Sequence, residues 1–144
     1  MRFLSVLVIF ILFSINTYSQ CYEYASEIQN AESSLSDALK YLKKVEKTIT
    51  IEEAQDLTDN AIESIDEASR QCNMAESYAS DCNCENGIQV SKNIYLISSD
   101  LLKLLKKATA SEEITVVKQN IKKITEIADN AKSEISYGIN ACGE

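Results

Sequence analysis

Apolar residues recur along this chain at alternating intervals of three and four, which is the pattern of an apolar stripe on an α-helix. The most regular stripe is built largely from alanine and consists of Ile51, Ala54, Thr58, Ala61, Ile65, Ala68, Cys72, Ala75, Ala79 and Cys82. Three other segments follow the same spacing. The pattern predicts four helices, which lie near residues 22–47, 51–80, 88–108 and 112–140.

Shifts in the phase of the stripe separate the helices of each pair, although neither junction contains Pro or Gly. Each junction moves the stripe by about two residues, which a single continuous helix could not bury on one face. Thr50, with Glu53 three residues later, has the form of a capping box, and Ser111 before Glu112–Glu113 indicates another helix start. Asn86–Gly87 predicts a turn between the second and third helices.

Helices of this length and order predict an all-α, up-down-up-down four-helix bundle. The hairpin of residues 22–80 overlies the hairpin of residues 88–140 at an offset of 60, so that Cys82, for example, matches Cys142. We interpret this match as a duplicated helical hairpin. The alternative is a pair of long helices of about 60 residues each in one antiparallel coiled coil.

Four of the five cysteines would meet at one end of such a bundle. The duplication predicts the disulfides Cys21–Cys82 and Cys84–Cys142. Cys21–Cys84 with Cys82–Cys142 is a nearby alternative, and the long coiled coil would instead place Cys21 beside Cys142. A four-thiol metal site is also open to these residues, but an exported chain favours disulfides. Cys72 lies about 15 Å from Cys82 along its helix, so we expect it to remain a buried free thiol.

The amino-terminal segment, residues 1–19, has the order of a secretory signal peptide: a positive start, the apolar run Phe3–Ile15 and a polar exit. The run is shorter than the roughly 20 residues that a membrane helix needs. We therefore predict cleavage after Ser19, no membrane insertion after cleavage, and a secreted or periplasmic single domain over residues 20–144. An uncleaved anchor and a lipid-modified Cys21 are the alternatives.

Charge is distributed unevenly along the chain, which carries 22 acidic and 14 basic residues. Residues 22–81 contain 14 acidic and 5 basic residues, whereas residues 82–144 contain 8 of each. The acidic excess argues against nucleic acid as a partner, because phosphate binding needs a basic face. We expect a protein partner, of basic character, to contact the acidic half; the alternative is that the charge serves solubility alone. The candidate partner-binding residues are Glu52, Asp56, Asp59, Glu63, Asp66 and Glu67.

The residue types do not form a catalytic constellation. The chain has no His, which removes the usual acid–base group at neutral pH and the His ligands of haem and di-iron bundles. Its serines lack a base that could activate them, and the paired glutamates are explained by helix starts. We therefore predict an interaction or structural module that is not an enzyme and has no catalytic residue, metal or cofactor. The alternative is a small-ligand carrier that uses the bundle interior.

Overall fold

The computed structural model describes the backbone of residues 2–142 and the side chains of residues 21–142. Its described residues form four helices and no strand: α1 (Arg2–Val45), α2 (Ile51–Asp81), α3 (Glu85–Ala108) and α4 (Ile114–Gly138). The predicted all-α class is confirmed. The signal peptide prediction rests on side chains that lie outside the described ones, and it stays a prediction.

The helices are arranged as an up-down bundle in which each helix packs on two neighbours. Helix α1 contacts α2 and α4, and helix α3 contacts the same two helices. The helices α2 and α4, which lie diagonally across the bundle, make few contacts with each other. The chain reverses in the short connections 46–50, 82–84 and 109–113. The four-helix prediction is therefore confirmed, and the alternative of two long helices is wrong.

Helix α1 begins at Arg2 rather than near residue 22. No Pro or Gly separates the apolar amino-terminal run from the packed part of the helix. Since neither helix breaker is present, the backbone stays helical through the predicted cleavage point. Among the described side chains of α1, those that enter the core begin at Tyr24.

The core formed by the described side chains is aliphatic, with one fully buried aromatic residue. Helix α1 contributes large, fully buried side chains such as Ile28, Leu35 and Leu42, whereas α2 contributes mainly alanines. Small residues on α2 let its backbone approach its neighbours closely, and the larger side chains opposite fill the space. Tyr24 is the largest of the fully buried side chains.

The predicted helix start at Thr50 is confirmed. The Thr50 side-chain oxygen accepts a hydrogen bond from the backbone N–H of Glu53 at 3.3 Å, which satisfies one of the unpaired amides of the first turn. Helix α4 begins later than predicted, with Glu113 at the N-cap and without a side-chain cap bond. The Ser111 hydroxyl instead accepts from the Glu113 N–H at 3.2 Å, before the helix starts.

The turn between α2 and α3 lies at Asn83, and the predicted turn at Asn86–Gly87 is wrong. Asn83 has φ 57°, the one positive φ of a non-glycine among the described residues. The Cys84 N–H donates to the Ala79 carbonyl at 2.8 Å, and the Asn83 N–H donates to the Ser80 carbonyl at 3.1 Å. These two bonds form a Schellman motif that ends α2. Because Cys84 then caps α3, Asn86–Gly87 lies in the first turn of that helix.

The buried positions of the two hairpins coincide at an offset of 63 residues. Buried Leu42 falls on buried Leu105, and the helix ends Val45 and Ala108 also correspond. The offset of 60 seen in the sequence would place Leu42 on half-buried Leu102, three residues away. A common origin of the two hairpins remains a prediction, but their packing register is 63.

Candidate functional site

The six carboxylates predicted to bind a partner lie on one side of α2. At 100° per residue their positions span an arc of about 100°, and they extend about 22 Å along the helix axis. Five are exposed, and Glu67 is half-buried. The buried residues of α2 lie on the opposite side of the helix. The surface formed by Glu52, Asp56, Asp59, Glu63, Asp66 and Glu67 is called the acidic face below.

Ion pairs neutralise only one end of the acidic face. The Arg70 guanidinium lies 3.9 Å from an Asp66 carboxylate oxygen and also pairs with Glu67. Gln71 Nε2 donates a further hydrogen bond to Glu67 Oε1 at 3.1 Å. The remaining members form no ion pair among the described residues. These free carboxylates are Glu52, Asp56, Asp59 and Glu63.

The fold concentrates this charge on one corner of the bundle. Helix α2 carries 9 acidic residues and 1 basic residue, whereas α3 carries 2 acidic and 4 basic residues. Helix α4, the diagonal neighbour of α2, carries 3 acidic and 4 basic residues. The negative potential is therefore strongest along the outer side of α2.

Two disulfides lie at one end of the bundle. Cys21 within α1 is bonded to Cys82 after α2, with 5.7 Å between their Cα atoms. Cys84 before α3 is bonded to Cys142 after α4, with 5.6 Å between their Cα atoms. The pairing predicted from the duplication is confirmed, and both alternative pairings are wrong. Since all four sulfurs are bonded in pairs, they do not form the four-thiol metal site.

Cys84 has a second role, as the cap of α3. Its Sγ accepts a hydrogen bond from the Gly87 N–H at 3.2 Å, in the way that an N-cap oxygen would. Gly87 is buried against this disulfide. A Cβ atom added at Gly87 would collide with the Cys142 Sγ. The Cys84–Cys142 disulfide therefore requires glycine at position 87.

Tyr24 and Cys72 are buried titratable groups. The Tyr24 hydroxyl donates a hydrogen bond to the Gly138 carbonyl at 2.8 Å, which ties α1 to the last turn of α4. Burial raises the pKa of Tyr24 to about 12, and repulsion from Cys72, when that thiol is ionised, contributes to a lesser extent. Burial also raises the pKa of the Cys72 thiol to about 12. Cys72 is the predicted buried free thiol, and it stays protonated at neutral pH.

The burial of Tyr24 could have been predicted from its position on the first helix. The three-and-four spacing of apolar residues in the first helix starts at Ile28, and Tyr24 lies one helical turn earlier on the same face. A tyrosine is a buried-position candidate only if its hydroxyl finds a partner. That partner, the Gly138 carbonyl, is 114 residues away along the chain.

At least three grooves open on the surface of the described residues. One of about 550 Å³ lies at the disulfide end and is lined by both disulfides together with Asn83, Glu85, Asn86 and Ala141. A second, about 280 Å³, lies between α1 and α2 beside Glu63 and Arg70 of the latter helix. A third, about 250 Å³, lies between α3 and α4. None of these three grooves lies inside the bundle.

Among residues 21–142, no three His, Cys, Asp or Glu side chains are placed to hold a metal ion. No helix in the described part of the chain combines the length and the apolar character needed to cross a membrane. The two disulfides fit an oxidising compartment.

Comparison with protein-family models, with curated proteins and with solved structures finds no match for this chain.

Proposed function

We propose that this protein is a non-enzymatic, exported interaction module that binds a basic protein partner through the acidic face of α2. The observation that carries the proposal is the set of four free carboxylates along one exposed helix face. They belong to the first half of a continuous 31-residue helix that packs against two neighbouring helices. A rigid row of charges loses little conformational entropy on binding, which favours its use in recognition.

The spacing of the free carboxylates defines the complementary surface. Successive members lie three or four residues apart, which is about one helical turn, or about 5 Å, along the axis. A partner with Lys or Arg side chains at similar intervals could pair with each of them. Such pairs contribute mainly to the association rate and to specificity, and salt weakens them once the Debye length falls below about 10 Å.

The small-ligand carrier remains the alternative, but the arrangement offers it less support. A carrier needs an interior cavity of about 300 Å³ or more. The apolar core side chains that the four helices contribute have exposures near zero, and the three grooves described above open at the surface. We therefore favour a protein partner over a ligand inside the bundle.

The test compares three immobilised proteins in affinity capture from the native medium or envelope. The first is the wild type, and the second replaces the free carboxylates by amides: Glu52→Gln, Asp56→Asn, Asp59→Asn and Glu63→Gln. The third is a matched control with the same change in net charge on the other hairpin: Glu112→Gln, Glu113→Gln, Glu126→Gln and Glu134→Gln. The control residues are all exposed. Retained proteins are quantified while the salt concentration is raised.

The proposal expects a protein that the wild type and the control retain, that the acidic-face variant loses, and that elutes as salt rises. Equal retention on all three proteins, or retention that salt does not change, would show that the acidic face is not the contact surface. Capture of a small molecule in place of a protein would favour the carrier. Circular dichroism of all three proteins verifies that the helices are intact.

A further inference from the structure

The two central cysteines, only one residue apart, occupy opposite ends of two helices. Cys82 is the C-cap of α2, and Cys84 is the N-cap of α3. The Schellman turn at Asn83 separates them. A helix carries partial positive charge at its N-terminus and partial negative charge at its C-terminus. Cys82 therefore lies at the negative end of one helix, and Cys84 lies at the positive end of the next.

This difference acts on the thiolates that the two disulfides would release. A Cys84 thiolate would keep the hydrogen bond from the Gly87 N–H and lie at the positive end of a 24-residue helix. A Cys82 thiolate would lie at the negative end of a 31-residue helix. Helix N-termini lower cysteine pKa values, and thiols of lower pKa are better leaving groups in disulfide exchange.

The two sulfurs of the Cys84–Cys142 disulfide also lie at helix ends of opposite polarity. Cys142 follows the C-terminal end of α4, and α4 has no basic residue in its last turn. Of the two sulfurs in this bond, Cys84 is therefore the better leaving group. All four disulfide-bonded cysteines are half-buried rather than enclosed and line the groove of about 550 Å³ at the disulfide end, so the helix ends, and not access, distinguish the two bonds. A nucleophile thus has a route to this bond.

We propose that the Cys84–Cys142 disulfide is a thiol–disulfide exchange site for an external thiolate. The thiolate attacks the Cys142 Sγ, a new sulfur–sulfur bond forms there, and the bond to Cys84 breaks with its electron pair leaving on the Cys84 Sγ. The products are a mixed disulfide on Cys142 and a Cys84 thiolate held by the N-terminus of α3. The step is reversible, because Cys84 can attack the mixed disulfide and restore the original bond. The Cys21–Cys82 disulfide is the resistant one, and this inference does not depend on the acidic face.

The experiment treats the wild-type protein with reduced glutathione and, in a second arm, with a reduced dithiol protein of the thioredoxin class. Samples are quenched with acid, alkylated and mapped by mass spectrometry. We expect glutathione on Cys142 with Cys84 alkylated, and a rate of opening on the order of tenfold above that of Cys21–Cys82. Reaction in the first arm identifies small thiols as the nucleophile, and reaction in the second alone identifies protein thiols. Faster opening of Cys21–Cys82, or glutathione on Cys84, would overturn the proposal.

Two matched variants test the physical cause. Cys142→Ala leaves Cys84 as a free thiol, and Cys21→Ala leaves Cys82 as a free thiol, while each retains the other disulfide. The pH dependence of alkylation should give a pKa for Cys84 below the usual value of about 8.5 and a higher pKa for Cys82. The reverse order would contradict the helix-end argument. If either variant fails to fold, the wild-type mapping still decides the order of opening.

Discussion

Replacing Tyr24 by Phe would remove one buried hydrogen bond and leave the packing of the ring in place. The Tyr24 hydroxyl donates to the Gly138 carbonyl at 2.8 Å, across the contact between α1 and α4. Gly138 is the last residue of α4, where helix carbonyls lack partners within the helix. The substitution therefore tests whether this long-range bond holds the end of α4 against the bundle.

The expected loss of unfolding free energy is about 1 kcal/mol, the net value of a typical intramolecular hydrogen bond. The Gly138 carbonyl also accepts from the Ala141 N–H at 3.0 Å, so it keeps one partner in the variant. That second partner prevents the larger loss of a fully unsatisfied buried group. Tyr24→Ala, which also empties the space of the ring, should lose about 3–5 kcal/mol.

The pKa of Tyr24 adds a dependence on pH. Burial raises this pKa from 10.0 to about 12, so the folded state disfavours the tyrosinate more than the unfolded state does. The stability that Tyr24 contributes is therefore fully present below pH 10 and is lost as the pH rises towards 12. Burial also raises the pKa of Cys72 to about 12, so the comparison is made in a Cys72→Ala background.

Urea unfolding at pH 7 and at several pH values between 9.5 and 12, followed by circular dichroism, measures both effects. Tyr137→Phe is the matched control, because the Tyr137 side chain is 87% exposed. Tyr24→Phe should lower the stability at pH 7 and flatten its alkaline decline, whereas the control should do neither. Equal stability of the two variants at pH 7, or an unchanged alkaline decline in Tyr24→Phe, would refute the reasoning.

Further substitutions test other contacts of the bundle. Cys84→Ser with Cys142→Ser opens a loop with a sequence separation of 58 and should lower stability by about 4 kcal/mol in the chain-entropy model, or the melting temperature by about 15 °C; a melting curve like that of the wild type would contradict it. Thr50→Ala removes the cap of α2 and should lower the unfolding free energy by about 1 kcal/mol. Ser111→Ala, which lies outside any helix, should lower the unfolding free energy less, and the opposite order in urea titrations would count against the assigned caps. Gly138→Ala adds a methyl group that overlaps a valine of α3 and should lower stability by about 1–3 kcal/mol, whereas unchanged thermal unfolding would show that the contact relaxes freely.

Sequence periodicity was sufficient for the number of helices and for the order in which they pack. The interval of three and four residues is local, and Thr50 with Glu53 carries its capping signal within one turn. The shift of the stripe at each junction favoured four separate helices over two continuous ones, because a helix cannot change its buried face without a break. Once four helices were in place, the duplication predicted the pairs Cys21–Cys82 and Cys84–Cys142.

The turn between α2 and α3 was decided by tertiary structure. Asn83 and Asn86–Gly87 both carry turn signals, since Asn and Gly tolerate positive φ. The disulfides select between them, because a turn at Asn83 places Cys82 and Cys84 at two helix ends that face different partners. No window of neighbouring residues contains that constraint.

Tertiary structure also decided which polar groups are buried and which charges are free. Tyr24 enters the core because its hydroxyl reaches Gly138 on another helix, and Arg70 neutralises only the carboxylates nearest to it. The sequence alone determined where the acidic residues lie on α2, because angular position follows from helical geometry. Which of these carboxylates remain free depends on side-chain distances across and along the folded helices, and helical periodicity does not encode those distances.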